Sequence, residues 1–525
     1  MELSGAPSAL GLALLLAGCC LSGVLWLLAG ARHGRGRLPP GPPPLPLLGN
    51  LLQLDPRAMH RSLEKLSQRY GPVYTIHLSS LPCVVLCGYQ AVKEALVDQA
   101  DDFSDRGDFP VFYRFTQGNG IAFSNGEKWK VLRRFALQTL KNFGMGKSSI
   151  EERIQKEAQC LVQEFRKTGG APFNPINLVC RAVSNVICAV VFGNRFDYQD
   201  SAFLTLLDHF NENFKIMSSF WGELYNIFPR LMDLLPGPHQ QIFRNFEKLK
   251  QFIAERIHRH QETLDPTAPR DFIDCFLIRM EQPDWKKDKR GQRFSFSRPR
   301  PAGGKSREEK QDPLSYFHME TLVMTTHNLF FGGTETTSTT LRYSFLILMK
   351  YPEVAAQVYQ EMDQVIGSER PPCLADRKLM PYTDAVIYEI QRFISILPMG
   401  LPRAVTRDTP FRDFLLPKGT NVIPLLSSVH YDPSQFKDPN SFNPANFLDE
   451  RKAFRSKEAF MPFAPGKRIC LGAGLARMEI FLFLTTLLQH FTLQPLVPPA
   501  EIDLAPQCTG LGNIPPAFQF QVLPR

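Results

Sequence analysis

The chain has no Cys-x-x-Cys pair, although it carries 11 cysteines in 525 residues. This excludes the paired spacing of a structural zinc site. The cysteines do not read as disulfide halves either. Cys19 and Cys20 lie in an apolar run, and Cys180, Cys188 and Cys275 fall in segments of helical period. They read as inert thiols of a reducing compartment. No flavin or nicotinamide fingerprint is visible, so redox chemistry here would draw its electrons from another protein. An excess of charge of one sign is also lacking outside one stretch. The net charge is +9, but residues 286–310 hold ten Lys/Arg and three Asp/Glu, a local +7 that leaves +2 for the rest. That balance gives no electrostatic footprint for nucleic acid.

What is present centres on Phe463-Ala-Pro-Gly466-Lys-Arg468-Ile-Cys470-Leu-Gly472, a Pro/Gly-shaped loop ahead of a helix-period run. A single cysteine at the mouth of a helix suits one soft metal centre, with the helix terminus and Arg468 lowering its pKa. A lone cysteine is more often a small buried hydrophobe. Here Gly466 and Gly472 permit close backbone approach, Arg468 offers a fork donor for a carboxylate, and Phe463 could cover the sulfur. A flat macrocycle with carboxylates and a central iron meets all four conditions.

Phe-x-x-Gly-x-Arg-x-Cys-x-Gly resembles the signature of the cytochrome P-450 superfamily of haem-thiolate monooxygenases, and the resemblance runs from about residue 38 to the end. It implies heme b with Cys470 as axial ligand, O2 as oxidant and NADPH-derived electrons. The expected fold is mostly α with a minor β-sheet region. Periodicity agrees: it predicts helices at 58–70, 90–98, 127–143, 149–167, 175–192, 203–219, 240–264, 313–350, 352–366, 383–396 and 471–491. Val73 to Cys87 reads as two strands around a Leu-Pro turn, with further strands near 404–424 and at the C-terminus.

Residues 9–30 are uncharged and long enough to span a bilayer, and Arg32, Arg35 and Arg37 follow them. The expectation is a signal anchor over 1–31, then a basic stop and proline-rich hinge over 32–50. A catalytic domain over 51–525 would face the cytosol from the endoplasmic reticulum membrane. Within it, residues 284–311 lack any apolar period and read as a disordered basic insert.

Three further motifs carry chemistry. Gly332-Gly-Thr-Glu335-Thr336 places an acid beside hydroxyls on a long apolar helix. Two glycines there would loosen the hydrogen-bond ladder, and Glu335 with Thr336 would relay protons. A Gly/Thr-rich packing kink is the competing reading. Glu389-x-x-Arg392 pairs opposite charges on one face of an apolar helix, which suggests burial. It is similar to a structural pair of the family, whose third member would here be Asn446. Two propionates need convergent cations or indole donors. Trp129 and Arg133 match a family motif, Arg106 and Arg403 stand where related microsomal enzymes also reach propionates, and Arg468 completes the set.

Gly118-Asn-Gly-Ile-Ala-Phe123, Ile216-Met-Ser-Ser-Phe-Trp-Gly-Glu-Leu-Tyr225 and Thr325-Thr-His-Asn-Leu-Phe-Phe-Gly-Gly333 most resemble subfamily F of microsomal family 2, which implies small lipophilic aromatic substrates of the naphthalene or alkylindole type. The candidate pocket walls are Phe109, Phe112, Phe115, Leu329, Phe330, Leu397 and Leu511, although each phenylalanine taken singly is more often ordinary core. NADPH–cytochrome P-450 reductase is the implied electron donor, with cytochrome b5 as a second. Lys130, Arg134, Lys141 and Lys467 would steer an acidic partner.

Overall fold

The computed structural model describes residues 38–143, 148–281 and 313–525. The expected anchor at 9–30 and the basic insert at 284–311 lie outside the described residues. Among those described, no helix is long and apolar enough to cross a membrane.

The periodicity-based helices are present to within about two residues at each end. The stretch 313–350 divides into a short 3-10 turn, Pro313–Tyr316, and a helix, Met319–Lys350. The run 90–98 closes with a π turn over Glu94–Asp98. The segment of helical period around Cys275 is the helix Phe272–Glu281. Helices at Pro110–Thr116, Phe220–Ile227, Pro229–Met232 and Leu426–His430 were not foreseen. All four are short, eight residues or fewer, too few turns for a clear period.

Met319–Lys350 is the central helix. His318 caps its start, its ring accepting the Thr321 N–H, and Tyr351-Pro352 ends it. It is buried on nearly every side, its threonines and serines included. It packs chiefly against Ile176–Val191, then against His239–Glu262 and Ala473–His490. The two glycines do not break it: helix runs unbroken through Gly332 and Gly333. Their uses differ. A Cβ at Gly333 would come within 3.2 Å of Ile187, whereas one at Gly332 would meet no protein atom within 4 Å.

The sheet region has five strands in the order β1-β2-β7-β4-β3. These are β1 (Val73–Leu78), β2 (Leu81–Cys87), β3 (Asp105–Arg106), β4 (Arg403–Ala404) and β7 (Asn421–Leu425). Two hairpins complete the β structure, β5 (Thr409–Phe411) with β6 (Phe414–Leu416) and β8 (Phe491–Pro495) with β9 (Phe520–Pro524). The β1–β2 turn is at Ser79-Ser80 rather than at Leu81-Pro82, which opens β2. Ser79 adopts a positive φ of 57° there, and the proline sits in the strand facing β1 alone. The proline-rich segment is tied to the sheet at its start: the Thr75 N–H donates to Pro40 (3.0 Å) and its hydroxyl to Pro39 (2.8 Å).

Glu389 and Arg392, on the helix Pro381–Ile394, form a fully buried fork-to-fork pair with both contacts at 2.7 Å. Arg392 also donates to the carbonyls of His430, Pro439 and Ser441, and Glu389 accepts the Asn443 N–H at 2.8 Å. Asn446 is not part of this network. Its amide closes both hydrogen bonds to the Lys437 backbone. An uncharged side chain gains most by pairing with a peptide, and main-chain groups already saturate the ion pair. Glu389→Gln, which leaves Arg392 buried and uncompensated, should therefore cost about 3–5 kcal/mol. Asn446→Ala should cost only about 1–3 kcal/mol. Urea unfolding of the two variants measures the difference.

Candidate functional site

The loop Phe463–Gly472 is held by its own backbone. The Cys470 N–H donates to the Phe463 carbonyl (2.9 Å) and the Ile469 N–H to the Gly466 carbonyl (3.0 Å). Ala464 and Gly466 take positive φ values of 53° and 78°. The π turn Glu94–Asp98 brings the Leu96 carbonyl against Gly466, where a Cβ would sit 1.7 Å from that oxygen. Only glycine fits. Gly472 behaves differently from the expectation. No protein atom lies within 4 Å of its would-be Cβ, so its missing side chain keeps space open beside Cys470.

Cys470 has exposed surface, yet protein surrounds it densely enough that burial, the largest influence, pushes its thiol pKa up. The Gly472 N–H, Arg133, the Ala473 N–H and Arg477 act the other way. Arg468 is not among these influences, so its expected effect on the thiol is corrected. Its guanidinium turns aside to donate to the carbonyls of Ser104 (2.6 Å) and Ser124 (2.7 Å) and to Asn125 (3.0 Å). Phe463 is covered by Arg477, which lies 5.1 Å from its ring centre.

Arg468 stacks on Trp129, 3.8 Å from its ring centre. Arg106 and Arg403 face each other directly across the β3–β4 pair. Like charges in that position are destabilising. Desolvation lowers the pKa of both, and Arg468 is pushed down to about 8 by burial and by Arg106 and Arg133. No salt bridge among the described residues involves Arg106, Arg133, Arg403 or Arg468. Three buried nitrogens, Arg106 Nη1, Arg403 Nε and Arg468 Nη1, have no partner. Such a cluster is stable only with an anion among the guanidiniums. Two carboxylates on a flat molecule fit it.

Asn125 was missed. It stands at the N-cap of Gly126–Asn142 but makes no capping bond. Its amide instead accepts from the Arg106 N–H and from Arg468, and donates to the Arg106 carbonyl. An asparagine before a helix reads in sequence as a cap, which conceals this role.

Glu335 and Thr336 do not bond to each other. The Glu335 carboxyl is buried, its Oε1 has no partner, and burial raises its pKa to about 7 against the pull of Arg342. The Thr336 hydroxyl is half-buried and donates back to the Gly332 carbonyl at 2.8 Å.

The expected pocket divides. Phe109, Phe112 and the unforeseen Phe123 form a stack, with Phe112 and Phe123 at 4.4 Å, and Phe112 meets Phe331 edge-on at 6.2 Å. Phe330 belongs to the core, 1 % exposed against Phe210 and Phe192. Phe115 stacks on Phe246 at 3.6 Å, turned to a surface cavity of about 400 Å³ rather than to the phenyl stack. Leu329 is buried. Leu397 is half-buried, and the buried Leu511 is held where Gly510 donates to Ser218 and Asn513 to Ile396. Neither that cavity nor a second one of about 510 Å³ beside Leu346 and Phe518 touches Cys470.

A family model, "Cytochrome P450", matches residues 39–522. The chain belongs to the cytochrome P450 family. It is 58 % identical to "Cytochrome P450 2F2" of Mus musculus, over 93 % of this chain and 94 % of that one. It is 57 % identical to "Cytochrome P450 2F1" of Homo sapiens, over 98 % of each. It is 50 % identical to "Cytochrome P450 2B4" of Oryctolagus cuniculus, over 98 % and 99 %. As a cytochrome P450 the protein is a monooxygenase whose cofactor is a haem with cysteine thiolate ligation, supplied with O2 and NADPH-derived electrons.

If the arginine cluster is held by haem carboxylates, Arg403→Met has opposite effects in the two forms. The haem-free protein should resist urea better than its parent, because one like charge is gone. The haem-loaded variant should lose its cofactor faster to an acceptor globin. Urea midpoints and transfer rates give both signs.

Proposed function

We propose that Cys470 ligates the haem iron and that Arg106, Arg133, Arg403, Arg468 and Trp129 receive its propionates. One observation carries this reading: four cations converge beside the cysteine loop without a paired carboxylate among the described residues. When bound, the haem supplies O2 activation for insertion of one oxygen atom into a C–H bond or π-system. The chain's residues do the rest. Gly466 and Gly472 shape the loop, and Phe463 packs under Arg477. Glu335 holds a proton, and Thr336 offers hydroxyl lone pairs at the open face left by Gly332.

The substrates are small, flat, lipophilic aromatics, for which naphthalene and alkylindoles are the test compounds. The support is the parallel stack of Phe109, Phe112 and Phe123 with Phe331 at its edge. Electrons come from NADPH–cytochrome P-450 reductase, with cytochrome b5 as a second donor. Arg134 and Lys141 are exposed for that docking, while Lys130 pairs with Glu127 and Lys467 with Asp101, which tempers their pull. The protein sits on the endoplasmic reticulum membrane by residues 1–31, its domain toward the cytosol, as the charge asymmetry at Arg32, Arg35 and Arg37 favours.

The purified chain with reductase, lipid and NADPH should oxidise naphthalene. Cys470→Ala should abolish both turnover and the long-wavelength Soret band of the ferrous–CO complex. Normal ferrous–CO formation without any product would contradict a monooxygenase of small aromatics.

Glu335 also sets a pH dependence. Its folded pKa lies above its ordinary value of 4.5, so the folded state keeps a proton that the unfolded chain releases. Stability contributed by this group is full below about 4.5 and is lost as pH rises through about 7. Glu335→Gln should therefore be more stable than the parent at pH above 7, by thermal unfolding. It should also flatten the fall in product yield through that range.

A further inference from the structure

The second cavity, of about 510 Å³, opens where the β8–β9 hairpin parts. Pro495 and Phe520 are the last pair of that ladder, and Phe520 is also bridged to Phe173. Beyond this pair the two segments diverge. Each is stiffened by prolines: Pro495, Pro498 and Pro499 on one side, Pro515 and Pro516 on the other. Walls with fixed φ angles lose little freedom on binding, so the space is preformed.

The floor is apolar. Leu346 and Met349, from the last turns of the central helix, line it together with Ile502 and Phe518. Leu496 and Val497 form the lip, and each leaves 46 % of its surface to water. Contiguous exposed apolar surface leading into an apolar cavity is the form of a ligand site.

The charged part of the lining carries one sign. Glu501 and Asp503 stand exposed at the rim, and among the described residues no Lys, Arg or His lines the cavity. Among the described residues neither acid joins a salt bridge. Lys350, at the end of the central helix, donates instead to the carbonyls of Ala500 (3.2 Å) and Ile502 (2.6 Å). It thereby anchors the segment that carries both acids without neutralising them. The first cavity is different: Arg114, Arg244 and Lys250 line it beside Glu247 and Glu320, so it selects no sign of charge.

We propose that the cavity beside Leu346 and Phe518 is a binding site for protonated lipophilic amines. The aryl or alkyl body lies on Leu346, Met349 and Phe518, and the ammonium sits between Glu501 and Asp503. Two carboxylates at one mouth repel an anion and attract a cation. The Phe518 ring offers a further face to the positive head. A volume of about 510 Å³ admits one molecule of modest size. The cavity does not touch Cys470, so an amine held here leaves the ligands of the iron unchanged.

The test uses the full haem-loaded chain, its iron first coordinated by phenylimidazole so that the substrate site is filled. The probe is phenylbutyltrimethylammonium, whose nitrogen has no lone pair and cannot ligate iron. Phenylbutanol and phenylbutyrate are its neutral and anionic counterparts. Isothermal titration calorimetry against a detergent blank should show one probe per chain, with no change in the Soret band. The probe should bind about tenfold more tightly than either counterpart, and high salt should erode that preference. Glu501→Gln combined with Asp503→Asn should reduce its affinity to that of phenylbutanol. Ala517→Arg, at an exposed lining position, should expel it by placing a cation in the mouth. The ferrous–CO spectrum of each variant, taken without phenylimidazole, checks folding. A probe that competes with phenylimidazole or shifts the Soret band lies in the haem pocket, which overturns the proposal. Equal affinity for the three compounds, unchanged affinity in the double variant, or no saturable binding overturns it as well. If Ala517→Arg fails the spectral check, the double variant, which keeps the shape of both side chains, decides alone.

Discussion

Four arginines that repel one another are the constraint on which this molecule turns. Arg106 and Arg403 are placed opposite each other by the β3–β4 register, and Arg468 is drawn beside them by two carbonyls and Asn125. Each guanidinium has lost water, and the mutual repulsion lowers its hold on its proton. Among the described residues no carboxylate pairs with this cluster, apart from the influence of Asp105 on Arg468. Such strain in a native structure marks a place where binding supplies what folding leaves out.

The rest of the fold delivers this cluster and the cysteine to one place. The sheet joins strands far apart in sequence, with β2 and β7 paired in parallel, so that residues near 105 and 403 meet. The π turn at Glu94–Asp98 aims the Leu96 carbonyl at Gly466 and fixes the loop. Behind it, Glu389 and Arg392 lock the segment 430–443 by main-chain hydrogen bonds. The central helix passes alongside, unbroken, with Gly332 left exposed at its middle.

Much of this was legible in the sequence because it is written in spacing. The cysteine loop, the Glu-x-x-Arg pair and the long helices are local patterns, and each appears at the expected residues. What stayed hidden depends on contacts between distant segments. Asn125 looked like a helix cap because nothing local shows that Arg468 takes its oxygen. Asn446 was assigned to the ion pair by motif position, yet main-chain carbonyls had filled that role. Phe330 and Phe331 are adjacent and chemically identical, and only the phase of the helix decides which one joins the core. The turn at Ser79-Ser80 was displaced by a proline tolerated in the strand.

The central claim is that the arginine cluster is held by the two carboxylates of the cofactor. The direct measurement is the relative retention of haem and of its dimethyl ester, which has the same ring and iron but no carboxylates. Competitive loading of the haem-free protein, followed by dissociation rates, gives the ratio. The account predicts that the ester dissociates at least about a hundredfold faster, on the order of two lost charge-assisted contacts at 1.5–3 kcal/mol each. Equal retention of the two would contradict it.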